Sequence, residues 1–126
     1  MSKLWLSFSS IYGMLAVLLG AFGAHALKAQ LSPDLLAVWK TANEYQFYHA
    51  LALGLVGLLL RGAPDRAPDQ ALNAAGACFV IGVLVFCGSL YALALSNLRL
   101  LGAITPIGGL LFIAGWALLF YSVARR

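Results

Sequence analysis

Charged residues are scarce in this sequence, and that scarcity excludes an ordinary water-soluble domain. Only 10% of its 126 residues are Asp, Glu, Lys or Arg, whereas 63% are hydrophobic and the mean hydropathy is +0.92. Soluble domains carry about 25% charged residues. A charge at the centre of a bilayer costs about 3 kcal/mol, so charge-free runs of about 20 residues mark membrane spans. The composition therefore predicts an integral membrane protein.

Acids, cysteines and histidines are also few, which limits the chemistry that the chain can support. There are four Asp and Glu residues, two His and two Cys. Cys78 and Cys87 face opposite sides of a helix at about 100° per residue, which excludes a disulfide between them. The serines lack a matching histidine and carboxylate, and no glycine-rich motif follows a strand. We expect no enzyme activity, and we assign no catalytic, cofactor-binding or metal-binding residue.

Basic residues outnumber acids, but they form no run that would suit nucleic acid. The formal net charge is +4, and the eight Lys and Arg residues are dispersed. Dispersed cations between apolar segments set the topology of a membrane protein and contact lipid headgroups. The expected partners are therefore membrane lipids and a homo-oligomer or larger membrane complex, without nucleic acid. The expected location is the bacterial inner (plasma) membrane.

The charge-poor segments predict the fold class: an all-α, integral membrane, antiparallel four-transmembrane-helix bundle in one domain, 1–126. The predicted spans are about 4–24, 42–60, 71–95 and 106–123. Short connections between spans favour antiparallel neighbours. An amphipathic helical extension precedes the second span. Pro33 to Leu60 is interpreted either as one helix or as an interfacial helix followed by a separate span.

Helix starts are marked at three places. Ser32 is expected to be an N-cap, with Pro33 at the first helical position and Asp34 near the positive end of the helix dipole. Asp69, after a turn that follows Arg61, is expected to serve the next helix start. The pair Thr105-Pro106 repeats the pattern of N-cap followed by proline.

Small residues at helical spacing indicate close packing between helices. Ala16, Gly20 and Ala24 follow the small-xxx-small pattern, which lets two helix backbones approach in lipid. The other predicted helix-packing residues are Gly82, Gly88, Gly108, Gly109 and Gly115.

Lysine and arginine counts predict the orientation. One side of the predicted bundle carries Lys3, Arg61, Arg66, Arg125 and Arg126, and the other carries Lys28, Lys40 and Arg99. Five against three favours cytoplasmic N- and C-termini, because cytoplasmic loops are enriched in Lys and Arg.

The long polar interval from His25 to His49 holds the candidate functional cluster. Its members are His25, Lys28, Glu44, Tyr45, Gln46 and His49. Glu44, Tyr45 and His49 suggest a small transporter, channel or proton-handling protein, since ionisable groups at membrane depth often mark ion paths. His25 and His49 suggest haem or metal binding. Lys28 and Lys40 suggest an anionic lipid headgroup.

Several motifs together carry a family resemblance. They are GAFGAHALK at 20–28, WKTANEYQFYHALAL at 39–53, FCGSLY at 86–91, LGAITPIGG at 101–109, and Gly115-Trp116. In this order they resemble the YgdD-type family of small bacterial inner-membrane proteins, a domain of unknown function. Ala26 and Cys87 depart from the family's usual glycine and serine. The resemblance implies four membrane spans and no established activity.

The leading hypothesis is a small polytopic inner-membrane protein of unknown molecular function, with a structural or accessory role. It is motivated by abundant small-residue faces beside few catalytic side chains. Such a protein would act by packing against itself, lipid or a larger membrane complex.

Overall fold

A computed structural model describes residues 1–62 and 69–126, which form an all-α fold. The helices are α1 (Ser2–Leu27), α2 (Pro33–Arg61), α3 (Gln70–Ser96) and α4 (Thr105–Ala124), and a short 3₁₀ segment (Arg99–Ala103) precedes α4. Both described ranges are free of β-strands. The predicted turn after Arg61, including Arg66, lies outside the described residues. The all-α prediction is confirmed.

Among the described residues, three helical segments are long and apolar enough to cross a membrane. They are Ser2–Leu27, Gln70–Ser96 and Arg99–Ala124. The remaining helix, α2, is continuous over 29 residues, which is about 44 Å at 1.5 Å per residue. The predicted extension and the predicted second span are therefore one continuous helix. Asp34, Lys40 and Glu44 make its first half more polar than the other three segments.

Two of the predicted helix starts are confirmed. The Ser32 hydroxyl accepts a hydrogen bond from the Leu35 N–H (3.2 Å), and Pro33 is the first residue of α2. At the start of α3, the Asp69 carboxylate accepts from the Leu72 N–H (3.0 Å). Both side chains satisfy backbone donors that a helix start leaves without partners.

The predicted N-cap role of Thr105 is wrong. The N-cap position is taken by Ile104, whose backbone dihedrals are already helical, and Thr105 is the first residue of the helix. The 3₁₀ segment before it leaves no extended residue that could act as a cap. The Thr105 hydroxyl instead donates to the Leu101 carbonyl (3.3 Å) and pairs with the Ser89 hydroxyl of α3 (2.6 Å).

Consecutive helices in the bundle pack antiparallel, and α2 contacts each of the other three helices. Contacts join the start of α1 to the end of α2 and the start of α3 to the end of α4. The first and third helices run parallel: the Trp5 indole donates to Asn73 (2.9 Å) and the Tyr12 hydroxyl donates to the Val80 carbonyl (2.9 Å). The buried residues of α2 are Trp39, Ala42, Gln46, His49, Ala50, Ala52, Leu53, Val56 and Gly57.

Glycines let aromatic rings and backbone close the gap between α3 and α4. A methyl group added at Gly82 would come within 2.7 Å of the Phe112 ring, and one at Gly115 within 2.6 Å of the Phe79 ring. At Gly108 the added atom would meet the backbone of Phe86. The two helices therefore need glycine at these positions in order to approach as closely as they do.

The remaining predicted packing residues differ in their surroundings. Ala16 is fully buried, and Gly20 contacts Asn43 of α2. Gly109 has only ordinary contacts with Phe86. Two positions lie on exposed surface: Ala24 and Gly88. Gly88 has open space around it and directly follows a π-helical turn, Val83–Cys87, whose extra residue rotates the helix that follows.

The outer surface of α1, α3 and α4 is apolar. Exposed large side chains include Met14, Val17, Leu18, Ile81, Leu84, Leu110, Ile113 and Phe120. Soluble monomers rarely expose apolar patches of this extent, because contact with water is unfavourable. Hydrocarbon is the solvent that suits this surface.

Candidate functional site in the polar interval of α2

The polar residues of α2 form a hydrogen-bonded seam with α1. The four bonds of this seam are Trp39 Nε1 to Leu19 O (2.9 Å), Asn43 Nδ2 to Ala16 O (2.7 Å), Gln46 Nε2 to Tyr12 O (2.9 Å) and Ser9 Oγ to Ala50 O (2.7 Å). Each bond joins a side chain of one helix to a backbone carbonyl of the other. The seam therefore runs along about three turns of both helices.

Sequence spacing explains why these side chains share one face. The donors on α2 advance by four and then three residues, and the acceptors on α1 recede by three and then four, as expected for antiparallel helices. A backbone carbonyl has two lone pairs, so it can accept a side-chain bond in addition to its helical bond. The pattern W-x3-N-x2-Q within 39–46 therefore specifies contact with α1.

Tyr91 of α3 extends the seam to a third helix. Its hydroxyl donates to Gln46 Oε1 (2.7 Å) and accepts a longer bond from Asn43 Nδ2 (3.3 Å). Its ring meets Trp39 edge-on, with centroids 4.6 Å apart. Sequence reasoning did not place Tyr91 in the candidate cluster, although the motif FCGSLY ends with it. A tyrosine within an apolar span was the available signal, because its hydroxyl requires a partner there.

His49 points away from the seam, towards α4. Its Nδ1 lies 2.8 Å from the Tyr45 carbonyl oxygen, and its Nε2 accepts from the Trp116 indole N–H (3.0 Å). Since Nε2 accepts, the proton resides on Nδ1 and the imidazole is neutral. Only 4% of the residue is exposed. Both ring nitrogens of His49 are therefore occupied by bonds within the protein.

Aromatic rings enclose the His49 imidazole. It stacks face to face on Phe112, with centroids 3.6 Å apart and planes 7° from parallel. Phe79 lies at 5.5 Å and Trp116 at 6.0 Å. Trp116 was quoted for the family resemblance but was not predicted as a contact of His49. Helix periodicity identifies neighbours within α2 and says nothing about which residue of α4 lies opposite.

The structure does not bring the two histidines together. His25 is exposed in the π-helical turn Gly23–Leu27 at the end of α1. Trp39 packs against Gly23, so His25 and His49 are roughly 20 Å apart along the helix axes. Within the described residues there is no group of three or more His, Cys, Asp or Glu side chains suited to a metal ion.

The other members of the predicted cluster separate into exposed and buried positions. Gln46 is buried in the seam, whereas Glu44, Tyr45 and Lys28 are exposed. For the described part of the chain, every buried side-chain nitrogen and oxygen has a hydrogen-bond partner.

Two grooves open beside α2. The lysine groove, of about 390 Å³, is lined by Gly20, Gly23, Ala24, Lys28, Leu36, Trp39, Lys40 and Asn43. The aromatic groove, of about 520 Å³, is lined by Tyr45, Tyr48, His49, Phe86, Gly109, Phe112, Ile113 and Trp116. Lys28 and Lys40, which the sequence suggested as headgroup contacts, therefore line one groove, Lys28 directly after the end of α1 and Lys40 on α2.

A separate charged site closes the opposite end of the bundle. Asp69 forms ion pairs with Arg125 (3.0 Å) and Arg126 (3.7 Å) and accepts a short hydrogen bond from Ser122. Burial raises the pKa of the Asp69 carboxyl. Hydrogen bonds from Ser122, Leu72 and Arg125 and the charge of Arg125 lower the pKa by more than burial raises it, so the pKa lies below its usual range. The carboxylate therefore ties the start of α3 to the end of the chain.

Comparison with known proteins finds relatives over nearly the whole chain. The family model described as "Protein of unknown function (DUF423)" matches residues 19–109. A UPF0382 membrane protein of Staphylococcus haemolyticus (strain JCSC1435) is 46% identical over 123 residues, which cover 98% of this chain and 97% of the relative. The UPF0382 membrane protein YwdK of Bacillus subtilis (strain 168) is 37% identical and covers 98% of both chains. No solved structure matches the chain.

Proposed function

Because the chain belongs to the DUF423 family, whose function is unknown and whose relatives are named membrane proteins, we propose a non-catalytic, accessory role in the bacterial inner membrane. The protein acts by packing against lipid, against itself or within a larger membrane complex. The YgdD-type resemblance at the level of motifs belongs to the same proposal.

One observation carries this proposal: the polar side chains in the helix interior are used to hold helices together. Trp39, Asn43 and Gln46 bind carbonyls of α1, and His49 binds α2 and α4. A catalytic or transporting group needs a lone pair or proton that is free for substrate. Occupied donors and acceptors favour an architectural role for these residues.

Four membrane spans are part of the proposal, with α2 as the fourth. One face of its middle is buried against α1, α3 and α4, and the polar side chains of Gln46 and His49 on this face are hydrogen-bonded to protein. Polar residues in a span are tolerated where they are buried in protein and hydrogen-bonded. A helix that buries its polar face in this way can therefore be less apolar than the other three and still cross the bilayer.

The first experiment tests for a partner. The intact chain, extracted in mild detergent after crosslinking, is expected to retain lipid, a second copy or another membrane protein, detectable by mass spectrometry. A lone monomer without lipid or protein would contradict the proposal.

The second experiment tests transport with liposomes containing the purified chain. We expect no proton or cation flux above protein-free liposomes. Flux that both His49→Ala and Glu44→Gln abolish would favour the transport interpretation instead. The matched control is Lys3→Gln, which is exposed at the start of α1.

A further inference from the structure

The lysine groove lies where the apolar part of the bundle ends. The candidate span Ser2–Leu27 finishes at Leu27, and Lys28 is the next residue. On the facing helix, Lys40 follows Trp39, whose indole donates to Leu19 of α1. In a bilayer this position corresponds to the border between hydrocarbon and headgroups, where lysines can reach phosphate while their stems remain in apolar surroundings.

The groove has two positive charges and no acidic side chain in its lining. Lys28 and Lys40 are both exposed, and neither has an acidic group within 4.0 Å among the residues that the structure describes. Two ammonium groups on opposite walls of a groove attract an anion that fits between them. A ligand that complements these two positive charges is therefore an anionic group that enters the groove from outside the protein.

The shape of the groove distinguishes a headgroup from a whole soluble ligand. Its volume of about 390 Å³ is near the lower limit of small-molecule sites, about 300–1,000 Å³. The Trp39 indole N–H is already bonded to α1, so its ring presents an apolar wall. Next to that wall, Phe22 is 48% exposed, with its ring 6.1 Å from that of Trp39. A headgroup between the lysines would have its acyl chains continue along this exposed apolar surface.

From this geometry we infer that the lysine groove binds the phosphate headgroup of an anionic phospholipid. Lys28 and Lys40 contact the phosphate from opposite walls of the groove, and the acyl chains lie against Phe22 and Trp39. The inference rests on the proposed accessory function and deepens it by naming a lipid partner. It also assigns a role to Lys28 and Lys40, which take no part in the hydrogen-bonded seam between α1 and α2.

The test measures lipid binding to the full-length protein in mild detergent by native mass spectrometry. The probes are phosphatidylglycerol and phosphatidylcholine with the same acyl chains. The wild type is expected to prefer phosphatidylglycerol. Each of Lys28→Gln and Lys40→Gln is expected to weaken that binding about fivefold, and the double variant about 25-fold if the effects add. Lys28→Arg and Lys40→Arg retain the charge and should retain most of the affinity.

The matched control is Arg99→Gln, which removes one exposed positive charge outside the groove. It should leave phosphatidylglycerol binding within about twofold of wild type. Equal binding by the wild type and the double lysine variant would overturn the inference, as would an equal loss in Arg99→Gln. Displacement of the lipid by inorganic phosphate at millimolar concentration would also overturn it, because the site would then recognise phosphate without acyl chains.

The failure of this inference is separable from failure of the proposed function. If the double variant keeps its affinity for phosphatidylglycerol but the crosslinked chain retains another partner, only the groove assignment is wrong. If the wild type carries neither lipid nor protein, both are wrong.

Discussion

Single side chains in this protein mainly connect helices, and His49 is the clearest case. Its two nitrogens bond to Tyr45 of its own helix and to Trp116 of α4, and its ring stacks on Phe112. A histidine in this environment provides one donor, one acceptor and a flat apolar face. All three are satisfied by the fold.

Trp116→Phe tests the hydrogen bond to His49. The substitution keeps an aromatic ring but leaves Nε2 of His49 without its donor. We expect the free energy of unfolding in detergent to fall by about 0.5–1.5 kcal/mol. Tyr48→Phe is the control, since Tyr48 is exposed in the same groove and its hydroxyl has no described hydrogen bond. Equal losses in the two variants would contradict the assigned bond.

The Asp69 carboxylate predicts sensitivity to acid. Its pKa in the folded protein is below its usual value of 3.8, so its ion pairs stabilise the fold fully above pH 3.8. That contribution is lost as the pH falls through the folded-state pKa. Unfolding measured in detergent between pH 7 and pH 2.5 should show this loss in the wild type and a flatter profile in Asp69→Asn. Parallel profiles would show that another group is responsible.

Pairs of helices are held by two different devices. The first and second helices share the hydrogen-bonded seam, in which side chains reach backbone carbonyls. The third and fourth helices rely on glycines that receive aromatic rings, with one hydroxyl pair, Ser89 and Thr105, beside them. In lipid there is no hydrophobic drive for helix association, so close packing and hydrogen bonds must supply the attraction.

Gln46→Leu tests the seam. The change has a similar size but removes the donor to Tyr12 O and the acceptor for the Tyr91 hydroxyl. The Tyr91 hydroxyl would keep the bond from Asn43 but would have no acceptor for its proton. An unsatisfied donor inside a protein costs about 1–3 kcal/mol, and we expect a loss of stability in that range. Thr41→Leu, at an exposed position of the same helix, is the control and should change stability little. No difference between the two would refute the seam's contribution.

Gly108→Ala and Gly88→Ala test the glycine contacts of α3 and α4. An added Cβ at Gly108 would lie 2.7 Å from the Phe86 Cα, and backbone cannot move aside without separating the helices. We expect a destabilisation of about 1–3 kcal/mol. Gly88 has nothing within 4 Å of an added Cβ, so alanine there should be neutral or stabilising by up to about 1 kcal/mol. Thermal unfolding in detergent measures the change in stability of both variants. A larger loss in Gly88→Ala than in Gly108→Ala would contradict the described packing.

The molecule as a whole is a bundle of four helices whose outer surface is largely apolar and whose polar groups lie partly on the buried face of α2. One face of α2 is buried against the other helices and holds Gln46 and His49, while its outer face exposes Leu51, Leu55 and Leu58 like the apolar surfaces of α1, α3 and α4. This arrangement reconciles three strongly apolar segments with four antiparallel helices. An even number of spans places the two termini on the same side of the membrane, whereas an odd number places them on opposite sides.

Reporter fusions test the number of spans and the orientation together. Four spans place both termini on the same side, and the five-to-three excess of Lys and Arg predicts that side to be the cytoplasm. Fluorescent-protein fusions at either end should therefore fluoresce, and alkaline phosphatase fusions should be inactive. Termini on opposite sides would contradict four spans, and two periplasmic termini would contradict the orientation.

Sequence alone determined the membrane class, the helical fold and two of the helix starts. Charge-free runs and capping residues are local properties, so the one chain is enough to recognise them. Sequence also singled out the polar interval from His25 to His49, in which Gln46 and His49 form hydrogen bonds to other helices. Transport, haem or metal binding and lipid contact were all interpretations that the sequence pattern of this interval allowed.

Tertiary structure decided which partner each polar group meets. Periodicity places Gln46 and His49 on particular faces of α2, but only packing shows that one face meets Tyr12 and Tyr91 and the other meets Phe112 and Trp116. The Thr105 error has the same origin, because the preceding 3₁₀ segment depends on how the turn fits the bundle. Local sequence sets the tendency of a segment, whereas the closest neighbour across a helix interface is set by residues far away in the chain.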